Sequence, residues 1–217
     1  MANKDVAVPI VFPDYLITVD TPDVEVAVPD ALPWVDILPS KIKLPRTHQK
    51  LPLLGHAGIL FIDGRSGLTR YYEYGRYDTA ATGLVRKQQI PDVVMGVGGR
   101  PAAGSLKEVL VAISKRSGQS GAIKGAYIEL PSGAFDKMEA HALGRMKQNA
   151  DPKRVPYDLL TNSCLHFMKA VAEAGGASMP FIIAPQPAGY IVQVRLQKRE
   201  LDYEPTGTIV IEATPLP

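Results

Sequence analysis

Cys164, the only cysteine of the chain, is the residue best suited to covalent chemistry. Polar residues precede it at positions 162 and 163, and an apolar helical pattern follows it as far as Gly175. This arrangement predicts that the thiol lies in the first turn of a helix. Unpaired backbone N–H groups and the positive end of the helix dipole favour a thiolate there. The alternative is a small buried hydrophobic residue, which is the common fate of a free cysteine.

A cysteine nucleophile needs a base, and the chain contains four histidines. His166 follows Cys164 by two positions, about 200° around a helix, and therefore faces away from the thiol. His48 lies in a proline-rich segment, and His141 lies among charged residues of a predicted helix, where we expect a solvated side chain. His56 is left as the candidate base. It stands at the entrance of a predicted strand, flanked by glycines that allow close approach of another group.

The sequence around His56 predicts a β-hairpin. Residues 57–63 form an apolar run of strand length, residues 64–67 are turn formers, and residues 68–74 are rich in aromatic strand formers. If Asp63 pairs with Leu68 across the turn, His56 falls opposite Gly75.

This register selects the partner that would orient the His56 ring. Side chains with the parity of Gly75 share the face of His56, and these are Tyr71, Glu73 and Tyr77. Glu73 is then a diagonal neighbour within reach of the imidazole. Asp63 and Asp78 have the opposite parity, and a slip of one residue or a bulge would reverse the choice.

Composition and motif spacing exclude several other functions. The chain has 217 residues, 46% hydrophobic and 21% charged, with a formal net charge of +2. The charge gives no argument for a nucleic-acid partner, and no apolar stretch is long enough to span a membrane. No ligand spacing predicts a metal site, the glycines at 96–99 lack a phosphate-binding context, and we expect no cofactor. The N-terminus has no signal-peptide pattern, so we expect synthesis in the cytoplasm without one.

The chain divides into three blocks by composition. Residues 1–52 hold eight of the 19 prolines, which predicts an extended arm without central strands. Residues 53–180 form the predicted core, and residues 181–217 form a tail of strands that packs on it. Alternation of Tyr190, Val192, Val194 and Leu196 predicts one tail strand, and residues 208–213 predict another.

Further elements are predicted within the core. A short strand is expected at 93–97, and a capping box of Ser105 and Glu108 is expected to begin a helix that stops near Gly118. A strand at 125–130 and a helix from about Phe135 to Asn149 follow.

Two separated motifs carry a family resemblance. Residues 55–60 (GHAGIL) begin the hairpin, and residues 162–167 (NSCLHF) begin the cysteine helix. This order, histidine strand first and cysteine helix last, resembles the circularly permuted papain-like group. That group includes permuted NlpC-type peptidoglycan hydrolases and relatives of lecithin retinol acyltransferase. The resemblance implies an α+β fold in which an antiparallel sheet packs against helices.

A narrower resemblance covers residues 55–176. The phrases at 71–78 (YYEYGRYD) and 125–129 (GAYIE) are similar to the amidase-like TseH-like effectors of bacterial type VI secretion. The resemblance implies a secreted antibacterial toxin, delivered to the periplasm of a target bacterium, that cleaves an amide bond in the peptide stems of peptidoglycan. It also implies a secretion-apparatus component and a cognate immunity protein as partners.

The predicted site follows from the residues and the resemblance together. Cys164 is the nucleophile, His56 the general base and acid, and Glu73 the residue that orients His56. We expect Tyr74, Tyr77 and Asn162 to contact substrate. Many permuted relatives carry a second histidine shortly after the first, but this chain has none there, so the third role falls to Glu73 by the face argument alone.

Two alternatives remain open at this stage. The same catalytic residues would also suit a protease or deamidase that acts on a host protein, or an acyltransferase that acts on a lipid. A different class of protein, a secreted interaction module without activity, would use Cys164 only to fill its core.

Overall fold

The computed structural model describes residues 3–19, 24–27, 41–44, 49–51, 55–77, 82–183 and 185–211. The described strands are β1 (Asp5–Phe12), β2 (Ile17–Val19), β3 (Val24–Ala27), β4 (Lys41–Leu44), β5 (Gln49–Leu51), β6 (His56–Ile62), β7 (Thr69–Gly75), β8 (Leu84–Gln88), β9 (Ile123–Leu130), β10 (Arg199–Tyr203) and β11 (Ile209–Ile211). The described helices are α1 (Ala103–Ser117), α2 (Ala134–Lys147), α3 (Cys164–Ala174) and α4 (Pro187–Arg195). None of these helices is long and apolar enough to cross a membrane.

Within the described residues, seven strands form one antiparallel sheet in the order β11-β10-β9-β1-β6-β7-β8. The short strands β2 and β5 pair with each other, and β3 pairs with β4. The mixture of helices with an antiparallel sheet confirms the predicted α+β class.

The prediction that residues 1–52 contain no central strand is wrong for β1, which lies between β6 and β9 and is buried along its whole length. Pro9 is tolerated because the pairing of β1 with β9 is interrupted there: it runs from Asp5 to Ala7 and resumes at Ile10. The missing N–H of proline therefore breaks no ladder hydrogen bond that the strand needs. The boundaries after residues 52 and 180 remain predictions.

The sheet is covered on both faces by helices. On one face, apolar side chains of α1 pack against β1, β6, β9 and β10; the helix contributes Leu106, Val109, Leu110 and Ile113. On the other face, α2, α3 and α4 form a second core that includes Cys164. Helical spacing of the apolar residues in α1 and α3 explains why each helix buries one side.

The predicted hairpin and its register are confirmed. Gly58 pairs with Glu73, and Ile62 pairs with Thr69, which is the register expected from a turn closed by Asp63 and Leu68. The turn is closed by a hydrogen bond from the Asp63 N–H to the Leu68 carbonyl at 2.9 Å. No bulge intervenes between these strands, so Glu73 lies on the same face of the hairpin as His56, as predicted.

The C-terminal tail differs from its prediction. Residues 187–195 form helix α4 instead of a strand, and its buried residues Pro187, Tyr190, Ile191 and Val194 follow helical spacing. The alternating residue Val192 is exposed. The last predicted strand is confirmed as β11, which forms one edge of the main sheet. It pairs with β10, and β10 pairs with β9.

Two local predictions in the core were wrong. The strand after the hairpin is β8, whereas residues 93–97 contribute only an isolated bridge between Met95 and Pro101. Ser105 does not cap α1, because that helix begins two residues earlier and its N-cap residue, Ala102, makes no side-chain cap. The Ser105 hydroxyl instead accepts the Val94 N–H at 2.9 Å.

Asp5 connects three elements from a buried position. Its side-chain oxygens accept the N–H of Gly64, in the hairpin turn, and the N–H of Phe135, in the first turn of α2, each at 2.9 Å. Asp5 is 1% exposed, so neither N–H has water as a substitute.

We expect Asp5→Ala to lower the free energy of unfolding by about 2–4 kcal/mol, because two buried donors lose a charged acceptor. Asp5→Asn should cost less, since one oxygen remains. Urea unfolding measures both, and Asp14→Ala, at an exposed aspartate, is the control. A loss for Asp5→Ala no larger than for the control would contradict this role.

Candidate active site

The cysteine helix begins as the sequence predicts. Ser163 is the N-cap of α3, in extended conformation, and Cys164 is the first helical residue. The His166 ring accepts the Ser163 N–H at 3.3 Å and lies 2.9 Å from the Ser163 hydroxyl, which completes a reciprocal cap. His166 is therefore engaged in the cap, as expected of a ring that faces away from the thiol.

His56 meets Cys164 where β6 begins. Cys164 belongs to the core on the α3 side of the sheet, whereas His56 shares the opposite face with Glu73. Because His56 is the first residue of β6, its ring lies at the strand end, where it interacts electrostatically with Cys164. The two residues are 6% and 5% exposed.

Glu73 lies at the other end of the imidazole. Its Oε2 is 3.1 Å from His56 Nε2, and Tyr77 Oη is 2.8 Å from the same nitrogen. Since Nε2 faces Glu73 and Tyr77, Nδ1 is the nitrogen available to Cys164. The structure thus brings the three predicted catalytic residues together in the order Cys164, His56, Glu73.

The electrostatics favour a charged pair. Burial raises the pKa of the Cys164 thiol, but its hydrogen bond with His56 and the positive charge of that ring hold the pKa below the ordinary value. Burial lowers the pKa of His56, whereas hydrogen bonds with Cys164 and Glu73 raise it, to about 9. Both shifts favour the thiolate–imidazolium pair over the neutral pair.

The carboxylate of Glu73 has further partners. Gln88 Nε2 donates to Oε1 at 2.7 Å, and the Tyr71 hydroxyl lies 3.5 Å from Oε2. Burial raises the pKa of Glu73, but the hydrogen bond from His56 and the charge of that ring outweigh it and lower the pKa. The sequence analysis missed Gln88 because it did not predict β8, on which Gln88 pairs with Tyr71.

Aromatic side chains surround the His56 ring. Phe12 stacks on it with ring centres 6.1 Å apart, and Tyr15 tilts against it at 5.1 Å. Tyr77 meets it edge-on, and the Arg86 guanidinium lies 3.7 Å from the centre of the Tyr77 ring. These contacts fix the ring in a dry environment, where its hydrogen bonds are stronger than in water.

Two glycines of the hairpin make room for this arrangement. A Cβ on Gly58 would lie 2.2 Å from the Tyr71 hydroxyl, and one on Gly75 would lie 2.7 Å from Tyr77 Cζ. The close approach expected at Gly58 therefore serves a side chain of the same protein, Tyr71.

Tyr157 is a site residue that the sequence analysis missed. Its hydroxyl donates to Cys164 Sγ across 3.7 Å. Burial raises the pKa of Tyr157, and the charge on Cys164 raises it further, so the phenol remains protonated. The chain returns to the thiol through a turn closed between Asp158 and Asn162, a local geometry that apolar periodicity does not reveal.

Asn162 and Tyr74 were expected to contact substrate, but their polar atoms are engaged within the protein. Asn162 Nδ2 lies 3.1 Å from Tyr74 Oη and 2.9 Å from the Pro156 carbonyl, and its Oδ1 accepts from Arg145 at 3.0 Å. Both side chains are buried. Tyr77, the third residue expected to contact substrate, is engaged with His56.

The remaining histidines lie elsewhere. His141 is half-buried on α2 and not the solvated side chain that we expected; burial and the nearby Arg145 charge lower its pKa. His48 lies outside the described residues. In the part of the chain that the structure describes, no three His, Cys, Asp or Glu side chains are grouped to hold a metal ion.

These observations define an α+β protein with helices on both faces of an antiparallel sheet and a buried cysteine, histidine and glutamate at one end of it. A family model of the type VI secretion system effectors called TseH-like matches residues 7–179. The chain belongs to this family, and the predicted resemblance to TseH-like effectors is confirmed.

A solved structure agrees with this assignment. The crystal structure of the type VI secretion system effector TseH matches with a TM-score of 0.75 and 32% sequence identity, over 98% of this chain and 100% of that chain. No curated protein matches the chain at a significant level. The chain is therefore a type VI effector with the fold of that structure.

The charged pair predicts a measurable titration. We expect the thiolate absorbance of Cys164 to persist to a pH below about 8.5, the ordinary thiol pKa, because His56 stays positive up to about 9. His56→Ala should move the transition to higher pH, since burial then acts without the compensating charge. Ultraviolet titration measures the transition, with Cys164→Ser as the baseline. A thiolate transition at the same pH in the unsubstituted protein and in His56→Ala would contradict the ion pair.

Proposed function

We propose that the protein is a cysteine hydrolase that cleaves amide bonds. The observation that carries the proposal is the position of His56, which interacts with Cys164 and hydrogen-bonds to Glu73 through Nε2. A nucleophile, a base and an orienting carboxylate in this order form the arrangement that cysteine hydrolases require. The order along the chain, with the His56 strand before the Cys164 helix, supports a permuted papain-like core.

The reaction begins with the thiolate of Cys164. Its sulfur attacks the carbonyl carbon of the amide, a C–S bond forms, and the carbonyl electrons move to oxygen. The first turn of α3 stabilises the thiolate before attack and directs the Cys164 N–H at the developing oxyanion.

We assign the second oxyanion donor to Tyr157. Its hydroxyl already points at Sγ, so it lies beside the carbon that the sulfur attacks. The raised pKa of Tyr157 keeps the proton on the phenol, which makes it a donor throughout the pH range of the reaction.

His56 then moves the proton. The imidazolium donates its Nδ1 proton to the leaving amine as the C–N bond breaks, and a thioester remains on Cys164. The neutral ring next accepts a proton from water, and the resulting hydroxide equivalent attacks the thioester. The acid is released, and the thiolate and imidazolium are restored. Glu73 fixes the ring and stabilises its charge in both steps.

We propose the peptide stem of bacterial peptidoglycan as the substrate, and the periplasm of a target bacterium as the place of action. Membership of a type VI effector family supports this choice. It also makes a component of the secretion apparatus and a cognate immunity protein the expected partners.

The residues first expected to contact substrate receive different roles. We propose that Tyr77 positions His56, because its hydroxyl touches Nε2. Asn162 and Tyr74 position the turn that carries Tyr157 and leads into Cys164, because Asn162 bonds to the Pro156 carbonyl and to Tyr74.

Substitution of the catalytic residues tests the activity. Cys164→Ala and His56→Ala should abolish release of products from purified sacculi, and Glu73→Gln should lower the rate by about 10²-fold or more. Glu108→Gln, at an exposed position on α1, is the control for a lost carboxylate. Mass spectrometry of the products identifies the bond that is cut.

The outcomes separate the rival functions. Digestion of sacculi by Cys164→Ala would refute the mechanism. Intact sacculi, together with cleaved or deamidated host proteins or with acyl transfer from lipids, would show that the same site acts on another substrate. A Cys164 thiol that is inert to alkylation at neutral pH would favour the interaction module without activity.

The role of Tyr157 has its own test. Tyr157→Phe should lower kcat by about 10²-fold with little change in KM, because an oxyanion donor acts mainly in the transition state. Stem-peptide fragments of peptidoglycan serve as the substrate, and Tyr203→Phe, on β10, is the control. A change confined to KM would instead assign Tyr157 to substrate binding.

A further inference from the structure

A second concave site lies behind the cysteine helix, in a pocket of about 500 Å³ between α2, α3 and the segment that follows α3. Its polar lining includes four basic residues, two neutral ones and one acidic one: His141, Arg145, His166, Lys169, Thr161, Asn162 and Glu173. The proposed reaction uses none of these side chains as a reacting group.

The apolar part of the pocket is open to solvent. Phe181 and Leu160 line it and are 81% and 60% exposed. Side chains of this size that are exposed together beside a pocket mark binding surfaces more often than they serve stability. The pocket thus joins an apolar patch to a basic one.

The charge balance of the pocket is positive. Arg145 bonds to the neutral amide of Asn162, and Lys169 pairs with Glu173, which is the acidic residue of the lining. Burial lowers the pKa of His141, and the Arg145 charge lowers it further. Burial also lowers the pKa of His166. The charge of Asp158 raises this pKa, and the charge of Lys169 lowers it.

Most of the α3 residues that line the pocket lie on the side of the helix away from the thiol. His166, Lys169 and Glu173 line the pocket, and at about 100° per residue they lie on the side of the helix away from Cys164. A group bound in the pocket is therefore not the group that the thiol attacks. The pocket nevertheless adjoins the proposed site through Asn162 and His166, which contact the segment leading into Cys164.

We propose that this pocket binds an acidic peptide segment of a protein partner. A carboxylate of the segment would lie among Arg145, Lys169 and the two histidines, and a neighbouring apolar side chain would pack on Phe181 and Leu160. Charge complementarity selects an acidic occupant, and the exposed apolar residues select one that also carries hydrophobic groups. The inference does not depend on the hydrolase activity.

Binding is tested with the full chain carrying Cys164→Ala, so that turnover plays no part. The probe is a blocked six-residue peptide that alternates leucine and glutamate, and the matched control peptide has glutamine in place of glutamate. We expect calorimetry to show binding at least about tenfold tighter for the acidic peptide. We also expect the pKa values of His141 and His166, followed by NMR, to rise when it binds, because a carboxylate favours the protonated rings.

Variants locate the binding. Lys169→Glu should weaken binding of the acidic peptide at least about tenfold. Lys137→Glu makes the same charge change at an exposed position of α2 outside the pocket, and it should leave the binding unchanged. Phe181→Ala should weaken it several-fold, and Leu196→Ala, also exposed, should not.

Three results would overturn the proposal. These are absence of binding up to about millimolar peptide, equal binding of the glutamine peptide, and undiminished binding to Lys169→Glu with its fold intact by circular dichroism. Tighter binding of stem-peptide fragments of peptidoglycan at the same residues would show that the pocket holds the cell-wall polymer, and it would also overturn the protein-partner assignment.

Discussion

The interactions of the His56 ring with Cys164 and with Glu73 are those on which the site depends. Cys164, His56 and Glu73 are all buried, and burial alone favours the neutral form of each. Each charge is maintained by its neighbour: the imidazolium lowers the pKa of both acidic groups, and those groups raise the pKa of the ring. Removal of one member therefore leaves an uncompensated buried charge, which costs far more than a surface ion pair.

The hairpin register supports this chain of charges. A slip of one residue between β6 and β7 would move Glu73 to the α3 face and leave Nε2 without its carboxylate. Several features oppose a slip: the bond between Asp63 and Leu68 closes the turn, and Asp5 holds the Gly64 N–H from the neighbouring strand. Gly58 adds a steric constraint, because the Tyr71 side chain occupies the space that a Cβ at position 58 would fill. The catalytic geometry is thus coupled to the stability of the central strands.

Local signals predicted much of the site, and long-range contacts decided the rest. The start of the Cys164 helix follows from its cap, and Glu73 follows from strand parity, because both depend on neighbours close in sequence. Proline content argued against a central strand at β1. The strand nevertheless pairs with β6 and β9, because its pairing with β9 is interrupted at Pro9. In α4, apolar residues fit a strand at 190, 192, 194 and 196 and a helix at 187, 190, 191 and 194; the packing against β1 and β9 selects the helix. Tyr157 depends on an irregular turn, which no periodic pattern encodes.

The position of His56, the proposed base, at the start of a strand follows from the layered fold. Cys164, the proposed nucleophile, lies on a helix on one face of the sheet, and the Glu73 carboxylate lies on the other face. A ring in the middle of a strand would point to one face only, so it would reach one partner and lose the other. At the first residue of β6 the ring is at the strand end and contacts both. For the proposed reaction, the site requires a strand end beside a helix N-terminus, and this requirement does not depend on which of the two comes first in the chain.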